Sequence, residues 1–440
     1  LGASGDTINL ASGASQSGFG RTGTVDWQTT IQTSTPFTAA SGVGYFVNTT
    51  ASAITMNLPA SPSVGDIVSI KDYAFNFGTN KLTVGRNGSN LDGTATDQVF
   101  NTSGLSLTLI YMDATKGWSL INEDTTTVMG ATFICASGSG CSTTTSGNFK
   151  IHTFTGPGTF TVNSVGNPAG SDSVDYVVVA GAGGGGGGDG THGGGGGGAG
   201  GFRASSLTYE VGSAPAGPIL NSTGLPVSVQ PYSITVGAGA SGNQSPGVTR
   251  GSDSIFSTIT STGGGGGAND NSSSAPDQAL PGGSGGGSGV DGLCRPAGTG
   301  NTPPVSPSQG NDGAISNQSS YGGAGGGGGA IVAGQRGGPP DVPNGQGGAG
   351  GAGAGLPSAF GTSGQSDGGF YYFSGGGGGG SHEGQVSASA PGGLGGGGAS
   401  SPAGGTAGTV NTGGGGGSRP SSGAGAAGGS GIVIIRYKFQ

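Results

Sequence analysis

Two runs of six glycines, 183–188 and 193–198, stand side by side in the stretch GAGGGGGGDGTHGGGGGGAGG at 181–201. Glycine loses more backbone freedom on ordering than any other residue and brings no side chain to a core. Such a stretch is either a loose tether or is held by something other than hydrophobic burial. Further runs follow at 263–267, 285–287, 325–329, 375–380, 395–398 and 413–417. Of the 110 glycines, 87 lie after residue 180, so the chain changes character there. The runs are irregularly spaced, which argues against a tandem solenoid. They lack a Gly-X-Y period, which excludes a collagen helix.

A flexible linker is the plain reading of such composition. A linker usually joins two domains once, whereas here the runs recur and a strand follows the last of them. The sharper reading is a bundle of polyglycine II helices, each with about three residues per turn and a rise of about 3.1 Å. These helices have no internal hydrogen bonds, so every N–H and C=O must find a partner outside its own rod. Without side chains, rods can approach closely enough to bond main chain to main chain. At a net worth of about 1 kcal/mol per bond, many must form together. Ala349 and Ala352 lie three residues apart, on one edge of a three-fold helix. Rods with such an edge belong on the outside of the bundle, and pure-glycine rods inside.

The remaining sequence reads as β. Residues 1–35 form an extended connector. Residues 36–126 carry short runs rich in Val, Ile, Thr and aromatics (GYFVNTT, AITMNLP, DIVSIKDY, LSLTLIYMD) separated by Gly, Pro, Asn and Asp. Asn87-Gly88 is a strong hairpin cue, and Trp118 is a core anchor. Residues 127–180 continue as strands, ending in DYVVVAGAG, which runs straight into glycine. Residues 181–440 form the glycine-rich domain, closed by a strand at 431–439 whose best partner is 175–180. The expected fold is all-β: an N-terminal β-sandwich-like module, then a β scaffold carrying a bundle of polyglycine II helices, with essentially no α-helix.

Charge narrows the function. Only 13 Lys and Arg are scattered through 440 residues, and net charge is −8, so there is no basic stripe for nucleic acid. No apolar run approaches the roughly 18 residues of a membrane helix, and we expect no membrane insertion. Cys135 and Cys141 bracket ASGSG at a spacing that would close a small loop, leaving Cys294 over. GxGxxG matches arise freely in such sequence, and no helix follows them to hold phosphate. The GDGTHG segment around Asp189 and His192 reads as a turn joining two antiparallel rods. We expect no catalytic residues, no metal and no cofactor.

The order DYVVVAGAGGGGGG, GGFR, YSITVGAGA, SIFSTITSTGGGGG and closing GGSGIVIIRY resembles the glycine-rich domain of bacteriophage tail fibres and tail-tip adhesins over residues 170–440. The segment from YFVNTT to NLDG is similar to a β module of phage tail fibres. The resemblance implies polyglycine II rods stacked as a sandwich, with variable loops at one end that bind host surface molecules. It implies a virion, extracellular location and attachment to a host glycan or outer-membrane protein. Other fibre or virion subunits are further partners, a homotrimer among the arrangements. The alternative is a purely structural subunit of an extracellular or virion filament.

Candidate contact residues follow from this. Phe370, Tyr371, Tyr372 and Phe373 cluster where aromatics are otherwise few, and at a loop tip would stack on sugar rings. The competing reading packs them over the flank of the rods or at a subunit contact. Tyr321, Phe360, Asp341, Asn344, His382 and Glu383 are further loop residues able to stack or hydrogen-bond. The candidate adhesive loops are 268–281, 290–320 and 355–374.

Overall fold

The computed structural model describes residues 25–121, 132–167, 170–189, 191–205, 220–221, 223–270, 277–290, 295–317, 322–338, 345–382, 390–420 and 422–440. The fold is all-β: among the described residues the only helical piece is the 3-10 turn Ser358–Phe360. The chain divides into two units, residues 1–132 with 167–170, and residues 133–166 with 171–440.

In the first unit two sheets enclose one core. Strand Ile67–Asp72 pairs in parallel with Val43–Val47 and antiparallel with Ser106–Asp113. In the other sheet Ile54–Asn57 pairs in parallel with Leu82–Gly85. These parallel pairs arise because successive strands alternate between the two sheets. Val68, Ile70, Leu107 and Leu109 from one sheet meet Ile54, Met56, Leu82 and Val84 from the other, with Trp118 fully buried among them. Asn87 and Gly88 do turn, at φ 47° and 97°. Yet the hairpin from Leu82–Gly85 to Gln98–Phe100 closes only through the longer connection 86–97. The cause is Trp118, whose N–H donates to the Asn90 carbonyl and whose carbonyl accepts from Asp92, each at 2.9 Å. That pairing draws the chain away from a two-residue turn.

In the second unit the closing strand Ile432–Lys438 lies between Ser173–Val179 and Phe149–Phe154, antiparallel to both. The expected partner of the last strand is therefore the observed one, with Val179 opposite Ile432 and Asp175 opposite Arg436. This sheet is buried on both faces. One face packs Tyr176, Val178, Val433 and Ile435 against Phe160, Tyr232, Ile234 and Phe256 of a second sheet. The other packs Val177, Val179, Ile432 and Ile434 against Phe202, Leu356, Phe360 and Phe373. Burial on both sides explains why these strands read as continuous Val and Ile rather than alternating. Asp175 and Arg436 form a buried ion pair at 2.7 Å, and the guanidinium lies 3.5 Å from the Phe149 ring centre.

Beyond the strands the glycine runs form a hydrogen-bonded lattice. Rod 193–202 shows its rule. Gly195, Gly198 and Gly201 donate N–H bonds to the carbonyls of Ala268, Gly265 and Thr262. Gly194, Gly197 and Gly200 donate to Arg419, Gly416 and Gly413, and Gly196 and Ala199 to Gly325 and Gly328. A step of three on this rod is a step of three on each neighbour, as a three-fold helix requires. The first two neighbours run antiparallel to it and the third parallel. Its carbonyls accept from a further set: Gly195, Gly198 and Gly201 from Gly186, Gly183 and Ala180; Gly194 and Gly197 from Gly380 and Gly377; Gly196 and Ala199 from Gly287 and Ser284. Main chain therefore encloses the rod on every side, and residues 193–200 are all buried. A Cβ at Gly195, Gly196 or Gly198 would come closer than 3.0 Å to main-chain atoms of Gly287, Gly377 and Gly285 respectively. Ala349 and Ala352, by contrast, are half-buried on an outer rod.

Cys135 and Cys141 are free thiols, not a bridged pair. Cys135 opens the strand Cys135–Ser139, which pairs with Gly158–Ser164, whereas Cys141 leads into Ser142–Ser146 of the other sheet. The spacing alone did not reveal that the chain crosses between sheets at this point.

Candidate functional site

The hydrogen-bond register gives the lattice two distinct ends. At the sheet end, Ser374 donates to the Thr412 carbonyl and accepts from Ala330, while Phe202 donates to Gln309. At the far end, Gly380 donates to Gly194, His382 to Gly345, Gly323 to Gly338, Asn317 to Gly323, and Gly423 to Gly188. The rod from Ser374 to His382 thus crosses the lattice, a span of roughly 25 Å at about 3.1 Å per residue.

The predicted contact residues divide between these ends. Phe370–Phe373 is a strand at the sheet end, paired with Ala354–Leu356 and Gln365–Asp367. Strand alternation sends its side chains to two faces. Phe373 is 1% exposed and Tyr371 packs beside it in the core, while Phe370 and Tyr372 are half-buried on the opposite face. Phe360, also 1% exposed, joins the same core. Phe360 and Phe373 thus present no surface to a ligand; they pack beneath the glycine lattice. Of the described candidates it is His382 that lies at the far end, buried, with its ring edge-on to His192 at 5.5 Å. Tyr321, Asp341, Asn344 and Glu383 lie outside the described residues. The rod ends that flank the first three, Asn317 with Gly322 and Gly338 with Gly345, belong to the far end. Of the candidate loops, 268–281 begins at the far end, 290–320 reaches both ends, and 355–374 lies at the sheet end.

Sequence reasoning missed the side chains that finish the lattice at its far end. Asn269 Oδ1 accepts from Gly187 N–H at 2.9 Å, and its Nδ2 donates to Asp277 Oδ1 at 2.6 Å. Asn243 Nδ2 donates to the carbonyls of Gly184 and Gly267, and its Oδ1 accepts from Thr249 N–H. Asp277 also accepts from Ser245 and from Gly247 N–H. Where a rod ends, its last main-chain groups lose their rod partners, and these buried amides replace them. The available signal was an asparagine placed just after each glycine segment, in GASGN and GGGGGAN.

Two carboxyls at this end diverge. Burial pushes Asp270 up, and the neighbouring Asp189 charge adds to it, to about 7. Burial acts in the same direction on Asp189, but the N–H groups of His192 and Thr191 hold its charge and bring it down to about 2. These two bonds, at 2.8 and 2.7 Å, close the turn between antiparallel rods 180–188 and 193–202. Among the described residues no group of three His, Cys, Asp or Glu is arranged to hold a metal ion.

One other pair invites a chemical reading. Cys141 Sγ lies 3.6 Å from His152 Nδ1. Burial raises the thiol, and burial with the nearby Lys150 charge lowers the imidazole to about 4. Both groups are thereby held neutral, the reverse of what a thiolate nucleophile and its base require.

The far end is thus a main-chain floor closed by asparagine and aspartate bonds, and Asp270, Asn317, Gly322, Gly338 and Gly345, the described residues next to 271–276, 318–321 and 339–344, belong to it. A family model described as a glycine-rich domain matches residues 153–438, which takes in both the strands and the rods. No curated protein matches the chain.

Proposed function

We propose that this chain, which belongs to the glycine-rich domain family, is an adhesin subunit of a phage tail fibre that attaches to host surface molecules. The observation behind this reading is the separation of scaffold from connections. Rod-to-rod bonds run from main chain to main chain, so the lattice interior makes no demand on the side chains of segments that leave its far end. Those segments are free to differ in sequence without loss of the scaffold. Several weak contacts multiplied over fibre copies then give firm attachment.

The second reading, a purely structural filament subunit, draws on one feature. Strand Ser142–Ser146 lies at the outer edge of its sheet and is exposed along its whole length, an open ladder for another chain.

The experiment replaces 271–276, 318–321 and 339–344 with Gly-Ser segments of equal length. Labelled protein is then measured by flow cytometry on a panel of bacteria. Loss of cell binding with retained hydrogen-exchange protection of the rods supports adhesion. Undiminished binding refutes it. Absence of cell binding by the unaltered protein, together with filament formation that a proline at Thr144 abolishes, favours the structural reading.

A further inference from the structure

The first unit carries a feature that neither the lattice nor its far end involves. Phe75 is 67% exposed, Tyr73 is 51% exposed, and Phe75 has φ 55°. A large aromatic residue in left-handed backbone is uncommon and costs free energy. The loop is nevertheless fixed. Asp72 is fully buried, and its carboxylate accepts from the N–H groups of Asn76 (3.2 Å), Phe77 (3.1 Å) and Gly104 (2.9 Å). Phe77 is locked in the core, Gly78 N–H donates to Ser103 Oγ, and the side chains of Asn76 and Asn80 donate to the Thr49 carbonyl.

The Phe75 ring is seated from below. Gly104 leaves room for it: a Cβ there would stand 2.8 Å from the ring. Lys71 Nζ lies 5.1 Å from the ring centre and donates to the Gly104 carbonyl. With one side occupied and the ring 67% exposed, an aromatic surface is presented to solvent in a single orientation. Polar groups stand beside the loop: Ser103, next to Gly104, accepts from Gly78 N–H, and Asn76 follows Phe75 directly. An exposed aromatic face with an ammonium at 5.1 Å, and a hydroxyl and an amide on the same loop system, matches one ligand class, a sugar ring with C–H groups on one face and hydroxyls at its edge.

The geometry points to a saccharide-binding subsite at Phe75, with Lys71 beside it, in which a pyranose stacks its C–H face on the Phe75 ring. Pre-ordering of the loop removes the entropy cost that stacking on a mobile aromatic would carry. The backbone strain fits this role: glycine would be easier to accommodate at this φ, but would provide no ring. The subsite does not depend on the adhesin reading, because it involves none of the far-end segments.

The test uses the full chain and saturation-transfer NMR with methyl β-D-galactopyranoside, methyl β-D-glucopyranoside and N-acetylglucosamine as probes. The expected result is transfer concentrated on ring C–H protons of at least one probe. Phe75→Gly and Phe75→Ala weaken its dissociation constant roughly five- to ten-fold, the size of one lost stacking contact. Phe75→Trp retains binding. The thermal midpoint of Phe75→Gly stays at or above that of the unaltered protein, since the left-handed strain is relieved. No transfer from the unaltered protein to any probe overturns the proposal, as does binding that Phe75→Gly leaves intact. A sharp fall in the Phe75→Gly midpoint also overturns it, because the ring would then be present for packing. Replacing the far-end segments must leave the signal unchanged, which separates failure here from failure of the adhesin reading.

Discussion

Substituting Gly197 with alanine adds a single methyl group at the centre of the lattice. That methyl would stand 2.9 Å from the carbonyl carbons of both Gly183 and Gly184, and closer still to the Gly183 oxygen. None of these atoms is the end of a flexible side chain, so the clash is relieved only by moving rod 180–188 away. The bonds at risk are those joining the two rods on either side, from Gly183 N–H to Gly198 (2.9 Å) and from Gly186 N–H to Gly195 (2.8 Å). Overpacking costs about 1–3 kcal/mol. Each buried main-chain group left without its partner costs about 1–3 kcal/mol more. Two bonds lost leave four such groups, two N–H and two C=O, so the sum is roughly 5–15 kcal/mol, as large as a typical domain stability. The control is Gly156→Ala in the same unit, where a Cβ meets nothing within 4 Å. There the expected change is neutral or a gain of about 0.4–1 kcal/mol from a less flexible unfolded chain. Native-state hydrogen exchange in urea, read on peptides covering 180–202, measures both. A Gly197→Ala protein within about 1 kcal/mol of the parent, with rod amides still protected, would refute the close-packed lattice.

Two further perturbations test other parts of the fold. Asp175→Asn removes the carboxylate from a pair whose side chains are each 1% exposed; the expected loss is about 3–5 kcal/mol, visible as a lower denaturation midpoint, with Asp175→Leu/Arg436→Met recovering most of it. Asp270 sits at about 7 in the folded chain, above its ordinary value near ~3.9, so its stabilising contribution is complete below about pH 4 and is lost as pH rises through 7. The amides of Gly187 and Gly188 are therefore expected to exchange more slowly at about pH 5 than at about pH 8 after correction for intrinsic rates, and Asp270→Asn should flatten the difference.

The rods were legible because glycine leaves few options. A run such as 193–198 has only main-chain groups to satisfy, and only another side-chain-free run can approach closely enough to satisfy them. The closing strand was legible for a related reason, since IVIIRY needs a buried partner and VDYVVV was the one available of matching character. The aromatic strand was not legible. FYYF reads the same whether its faces meet solvent or a core. What decides is the packing of Val177, Ile434 and Phe202 against Phe373, from positions distant in sequence. Asn243 and Asn269 escaped for a different reason. As isolated polar residues after glycine they resemble any turn, and their role exists only once several rods end together. The hairpin at Asn87 was half-legible: its turn forms as local chemistry dictates, but a bond to Trp118 from a later strand sets where the ladder begins.

An interior composed of peptide groups also has a thermal consequence. Exposing apolar surface raises heat capacity, whereas exposing polar surface lowers it. Melting rods such as 193–202 wets amides and carbonyls rather than hydrocarbon. The two contributions oppose each other across the second unit, and its stability curve is flatter than that of an oil-filled domain of equal size. A scaffold of this kind tolerates cold water and warm water with little change in its margin.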